Sequence, residues 1–354
     1  MFLMRKLLSG ILIMLLVICF APAAALAEDQ AQEEQMELSL EDAVKRALGF
    51  SNAVEKAWLD IDKADDSRVP VSEGYYSTPG FESVILAGES ASFDYDKANK
   101  NLGLTRDQVT LNTYDKYFDS LRKQKELEIK ELALGYSGKE LEAAKVLHSV
   151  GMLNRLGLDG LETKVLAAQN EYNAAGAELE NAFVSFNQML GFKEDTRPLL
   201  VTVPEFAPWE KDLQMHISTV LHESPMLWTA SEAADFMESI ANIGASDSIT
   251  EEDAKKAKLD ATDARDATRL MVRSLHSAVK KMEDGYAAAE QGVKMAQETL
   301  RITELKNELG MATKTQVLEA QLALASAEQG LFDLVCQHEF MKKVLETPWA
   351  YSGN

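Results

Sequence analysis

The groups that could do chemistry in this chain are five histidines, one cysteine beyond the first 27 residues, and a surplus of carboxylates. Their spacing supports no reaction. The histidines, His148, His216, His222, His276 and His338, are scattered along the sequence. His216 and His222 are six apart and do not share a helix face. His338 falls on an otherwise apolar seam, where a core or inter-subunit histidine is expected before a metal ligand. Cys336 lies on a helix stripe and is expected to be buried rather than reactive. No Gly-rich phosphate loop, nucleophile elbow or zinc-ligand spacing occurs. The carboxylates stand singly on acidic helices, where a solvated face is the default. No catalytic residue, cofactor site or metal site is expected, and the chain reads as a non-enzyme.

Two short turns remain as residues that could act by shape. The first is Val150-Gly151-Met152-Leu153-Asn154-Arg155 and the second Leu309-Gly310-Met311-Ala312-Thr313-Lys314, 159 residues further on. Gly151 and Gly310 can take the positive φ that ends a helix. Thr313 followed by Gln316 has capping-box spacing, which restarts one. Asn154 is an equally good N-cap, although Gly157 three residues on supplies no matching acceptor. Met152 and Met311 have two readings. They stand exposed at a hairpin tip and offer a surface to a partner's helices, or the hairpin folds over them.

Long heptad-patterned helices must hold these turns. Val317, Ala320, Leu324, Ala327, Leu331, Leu334, His338, Met341 and Leu345 are spaced 3-4 throughout, which is a coiled-coil seam. A second stripe, Leu318, Leu322, Ala325, Phe332, Cys336 and Phe340, runs beside it, so this helix packs on both flanks. The preceding helix carries Val272, Leu275, Val279, Met282, Tyr286, Ala289, Val293, Ala296 and Leu300. The first turn sits between equivalent stripes, from Tyr114 to Val150 and from Leu161 to Met189. A duplicated helix–turn–helix unit decides the fold before any single residue does.

The start of each half repeats as well. Leu40, Val44, Ala47, Leu48, Ser51 and Ala57 correspond to Leu213, Ile217, Val220, Leu221, Ser224 and Ala230 at a constant offset of 173. The offset falls to 159 at the turns, so the first half carries 14 extra residues. They are expected in an irregular insert at 69–96, the one Gly/Pro/Tyr/Ser-rich stretch in the core of the chain.

Composition sets the class. Ala, Leu, Glu and Lys dominate while Pro is scarce and Gly is modest, which favours long helices. Arg5-Lys6, the apolar run Leu7–Phe20 and Ala25-Leu26-Ala27 read as a signal peptide cut before Glu28; an uncleaved N-terminal anchor is the other reading. Removing Arg5 and Lys6 from 36 basic and 57 acidic side chains leaves a net charge of −23. That excludes nucleic acid as a partner and argues against docking on anionic lipid. With Cys336 alone, no intrachain disulfide can form, and apolar packing must hold the fold.

On these residues the chain resembles the outer membrane efflux protein family, the TolC-like proteins, from Leu38 to Glu346. The marks are Leu40-x-x-Ala43-Val44-x-x-Ala47-Leu48, Ser224-Pro225-Met226-Leu227, the Gly310 to Thr313 turn, and the helix endings Met189-Leu190-Gly191 and Val344-Leu345-Glu346. The resemblance implies a homotrimer whose helices build a hollow barrel. It implies a periplasmic adaptor and an inner-membrane transporter as partners. Adaptor-docking turns would be Val150, Gly151, Met152 and Asn154, with Leu309, Gly310, Met311 and Thr313. In one respect the chain departs from the family. A membrane strand takes about 9–11 alternating residues, and neither 69–95 nor 239–269 supplies such strands, although Phe81–Phe93 could hold a short hairpin.

The expected architecture is all-α: elongated antiparallel long-helix hairpins in two repeated halves, with little or no β. The signal peptide covers 1–27, the first repeat 28–191, a Pro-containing linker 192–211, the second repeat 212–347 and a tail 348–354. The expected role is an exported component of an efflux or secretion assembly in the cell envelope, at the outer membrane where the source has one. A non-conducting envelope scaffold or binding protein is the other reading, and membrane association stays open.

Overall fold

The computed structural model describes residues 36–68, 81–243 and 250–351. The expected signal peptide, the first part of the insert (69–80), Asp247-Ser248-Ile249 and the last three residues lie outside the described residues. The chain order is β1 (Glu37–Leu38), α1 (Leu40–Phe50), α2 (Asn52–Asp66), α3 (Phe81–Ser149), α4 (Arg155–Leu190), β2 (Leu199–Leu200), α5 (Leu213–Glu223), α6 (Pro225–Ile243), α7 (Glu251–Glu308) and α8 (Lys314–Glu346). A 3₁₀ turn, Pro348–Ala350, follows. The architecture is the expected all-α one. α3 has 69 residues, which makes it a rod of roughly 100 Å at about 1.5 Å per residue.

The two halves start alike, with caps and breaks at equivalent positions. Ser39 caps α1 by accepting from the Asp42 N–H, and Asp212 caps α5 by accepting from the Met215 N–H. Ser51 and Ser224 sit at the helix breaks, and each side chain accepts from the amide three residues on, Val54 and Leu227, at 3.4 Å. A serine placed this way ends one helix and satisfies one of the free first-turn donors of the next. Thr250 and Thr313 form full capping boxes with Asp253 and Gln316, as their spacing predicts.

Each half has its own apolar core. In the first, Ala43 and Ala47 of α1 let that helix approach Tyr117 and Phe118 of α3 and Phe183, Phe186 and Leu190 of α4. In the second, Ile217 and Val220 of α5 pack on Val272, Leu275 and Val279 of α7 and Val344 and Leu345 of α8. Burying side chains of this size contributes about 1.5–3 kcal/mol each. The ion pairs that cross α3 and α4, such as Lys130–Glu171 at 2.9 Å, are largely exposed. Exposed pairs of that kind contribute up to about 1 kcal/mol, so the apolar stripes carry the hairpin.

The linker binds the halves together. β1 and β2 pair in parallel, Glu37 with Leu199 and Leu38 with Leu200. The Tyr117 hydroxyl donates to the Leu38 carbonyl at 3.1 Å and accepts from the Thr202 N–H at 2.8 Å. At the far end of the chain, the Trp349 indole N–H donates to Asp107 of α3 at 2.8 Å.

One expectation needs correcting. The insert is not irregular throughout, and Phe81–Phe93 is not a hairpin, because α3 already begins at Phe81. Pro70 and Pro79 weight the composition of the whole window, yet neither lies beyond residue 80. From there the helical spacing Ala91, Tyr95, Ala98, Leu102 runs on. Ala98 and Leu102 are buried against Val54, Ala57 and Ile61 of α2. Phe93 stacks on Phe236 of α6, ring centres 5.6 Å apart. Packing on two flanking helices thus outweighs the local composition. α3 is eleven residues longer than α7, while α6 is four longer than α2, so seven of the fourteen extra residues are accounted for as helix.

Candidate functional site

The two glycine turns are built on the same hydrogen bonds. At the first, the Gly151 N–H donates to the His148 carbonyl at 3.0 Å and the Met152 N–H to the Leu147 carbonyl at 2.8 Å. At the second, Gly310 donates to Asn307 at 2.9 Å and Met311 to Lys306 at 2.7 Å. This pair of bonds is the Schellman ending, which requires a left-handed residue after the helix. Gly151 has φ +77° and Gly310 φ +71°. A side chain there would cost roughly 1–2 kcal/mol.

Two polar side chains brace the turns, and the sequence reading did not single them out. The His148 Nδ1–H donates to the Leu153 carbonyl at 2.7 Å. A carbonyl can only accept, so the tautomer at His148 is fixed by this contact. Asn307 Nδ2 donates to the Ala312 carbonyl, also at 2.7 Å. His148 and Asn307 are themselves 159 residues apart, as are Leu153 and Ala312. Applying the turn offset to every polar residue nearby would have found both.

The next helices start just beyond. Asn154 Oδ1 accepts from the Gly157 N–H at 2.8 Å. Gly157 suits this place, because a Cβ on it would stand 2.7 Å from Leu153 Cδ1. Thr313 Oγ1 accepts from the Gln316 N–H at 3.2 Å, and Gln316 Oε1 accepts from the Thr313 N–H at 2.8 Å. Glycine, brace and cap thus satisfy part of the backbone that the helix ends leave free.

The apolar side chains at the tips are not covered by the chain itself. Met152 is 76% exposed and Met311 73%. Val150, Leu156, Leu305 and Leu309 are exposed beside them. The hairpins do not fold over their methionines. Both tips lie at one end of the molecule. A surface groove of about 540 Å³ runs between α3 and α8, with Glu142 and Val146 on one wall and Lys314, Val317 and Leu318 on the other. Asn307 also lines it, so one brace is part of the groove.

The other reactive groups are placed as follows. Cys336 is buried, and burial pushes its thiol up to about 12, which keeps it protonated. Among the described residues no group of three His, Cys, Asp or Glu could hold a metal ion. Three histidines that lie far apart in sequence meet beside the linker: His216, His276 and His338 all approach the Lys280–Glu283 pair of α7 or the strand of linker that pair holds. No helix among the described residues is long and apolar enough to cross a membrane.

No protein-family model matches the sequence, and no curated protein matches it either. Solved structures do match. A membrane protein from Pseudomonas aeruginosa is 14% identical, with a TM-score of 0.65 over 88% of this chain and 93% of that one. The outer membrane protein VceC of Vibrio cholerae is 14% identical, with a TM-score of 0.59 over 88% of this chain and 95% of its own. The CmeC outer membrane channel of Campylobacter jejuni is 13% identical, with a TM-score of 0.59 over 95% and 93%. At such identities the likeness is one of fold, and the fold of this chain is the TolC-like one of two helical hairpins per protomer.

Proposed function

We propose that the chain is an exported, TolC-like helical component of an efflux or secretion assembly in the cell envelope. It works by shape: three copies close into a tube, and the glycine-turn tips meet the helices of a periplasmic adaptor joined to an inner-membrane transporter. One observation carries this reading. The two tips share the same glycine, brace and cap bonds and still hold methionines and leucines out in solvent. An exposed apolar patch on an acidic, soluble surface marks a binding face. Val150, Gly151, Met152, Asn154, Leu309, Gly310, Met311 and Thr313 form that face. The resemblance of fold to outer-membrane channels supports the same reading.

The test is the mature chain with photo-crosslinking residues at Met152 and Met311, combined with sedimentation in solution. The expected result is a trimer and a captured adaptor carrying a helical hairpin. A monomer that captures nothing at either tip would sink the proposal.

A second reading is a non-conducting envelope scaffold of the same fold. It is favoured by the far end of the molecule, where α2, α3, α6 and α7 run as helices and the only strands among the described residues are two residues long. Discrete conductance steps in a planar bilayer would rule the scaffold out.

A further inference from the structure

We infer that the linker segment Phe206–Asp212 is a strap latched onto α7 and α8 by Lys280, Glu283 and Lys342 beside a histidine cluster, and that mild acid opens the latch. The inference concerns the linker alone and stands whether or not the tips bind an adaptor.

Trp209 is the latched residue. Its N–H donates to Glu283 Oε1 at 2.7 Å, and its carbonyl accepts from Lys280 Nζ at 2.8 Å. Lys280 and Glu283 are themselves paired at 2.6 Å. From α8, Lys342 Nζ donates to the Ala207 carbonyl at 3.0 Å. The Phe206 ring stacks on Tyr286, centres 3.7 Å apart, and the Trp209 ring meets His216 edge-on at 5.0 Å.

His338 lies beneath this strap. It is fully buried, 5.0 Å from the Phe206 ring, and neither ring nitrogen has a hydrogen-bond partner. Its Nε2 is 3.6 Å from Glu283 Oε1, the oxygen that holds the Trp209 N–H. A leucine or methionine at this seam position would bury more easily. A charged imidazole would instead draw Oε1 toward itself and away from Trp209.

The surroundings set the direction. The charged groups facing His338 are Lys280 and Glu283 from α7 and Glu339 and Lys342 from α8; the linker presents the Phe206 ring. His276 of α7 faces the same Lys280 and Glu283, and His216 of α5 faces His276. Lys342 is paired with Glu339 at 2.9 Å and Lys280 with Glu283 Oε2, so a charged His338 gains Glu283 Oε1 only at the expense of the Trp209 N–H. Burial holds both His338 and His276 below the usual imidazole range. Both are therefore neutral in the closed strap and charge more readily once it lifts. A folded-state value below the ordinary one means the contribution is complete above about pH 6.5 and declines as pH falls below it.

Hydrogen exchange of the mature chain, read peptide by peptide and corrected for intrinsic rates, tests this. Each histidine that charges raises strap opening by up to about tenfold per pH unit below about 6.5. Between about pH 7.5 and about pH 5.5, amides of residues 203–212 should lose protection while α3, α4 and the helical circular dichroism hold steady. His338→Gln and His338→Met should keep the strap protected in acid. His276→Gln, at a half-buried position, should lower the pH slope without removing it. Equal protection of the wild-type strap at both pH values overturns the inference. So does protection lost equally along every helix, or the same acid loss in folded His338 variants.

Discussion

The two ends of this molecule obey different rules. At the turn end the halves share one plan: glycine, brace and cap recur at one offset, from His148 and Asn307 to Gly157 and Gln316. At the far end they diverge. α3 outruns α7 by eleven residues, and the buried positions differ, Ala98 and Leu102 against α2 on one side, Ala254 of α7 on the other. The lesson is about what tolerates length change. A Schellman turn counts its residues through two hydrogen bonds and admits none extra. A helix end held by an apolar stripe gains packing with each added turn, so it can grow.

The comparison can be broken first at the growing end. Leu102→Ala, buried against α2, should cost about 2–5 kcal/mol in denaturant unfolding. A loss well under 1 kcal/mol would show that the extension is not a packed body. Next come the turns. Gly151→Val and Gly310→Val should each cost about 1–2 kcal/mol by forcing a branched residue to positive φ. Unequal costs would separate two turns that the hydrogen bonds make equivalent. Smaller again, Asn154→Ala and Thr313→Ala should each lose about 1 kcal/mol as caps. Helix content measured by circular dichroism should fall only near the tips. Last, Met152→Ser and Met311→Ser should move stability by less than about 0.5 kcal/mol, since both side chains are exposed. Crosslinking should register them strongly, and a large stability loss with unchanged capture would reverse the roles assigned to them.

Much of the fold was legible because its signals are periodic. The 3-4 stripes of α7 and α8, from Val272 to Leu345, lie on buried or half-buried faces. The 173 offset located the serine breaks at Ser51 and Ser224, and the caps Ser39 and Asp212 turn out to obey the same offset. Windowed composition failed at 81–96, where prolines just upstream masked a helix that α2 and α6 hold in place. At the tips, Gly151, Gly310 and the Thr313 box were visible as local motifs. The braces were not, because a side chain reaching a carbonyl five residues on has no common motif. The histidine cluster was out of reach for another reason. His216, His276 and His338 meet only after α5, α7 and α8 have packed, and nothing in their spacing announces that.

The two-residue parallel ladder also sets an order of assembly. Parallel strands need a crossover between them, and here the crossover is the entire first half. Once the chain has passed Thr202, Tyr117 can clasp Leu38 and Thr202 together, and that half is closed. The second half closes much later, when Trp349 reaches back across 242 residues to Asp107. A chain delivered from its N-terminus thus meets an early clasp and a late one. Early halves fold as units while the rest is still emerging, so the first hairpin can stand as a template on which α7 and α8 zip up, with Trp349 as the final fastening.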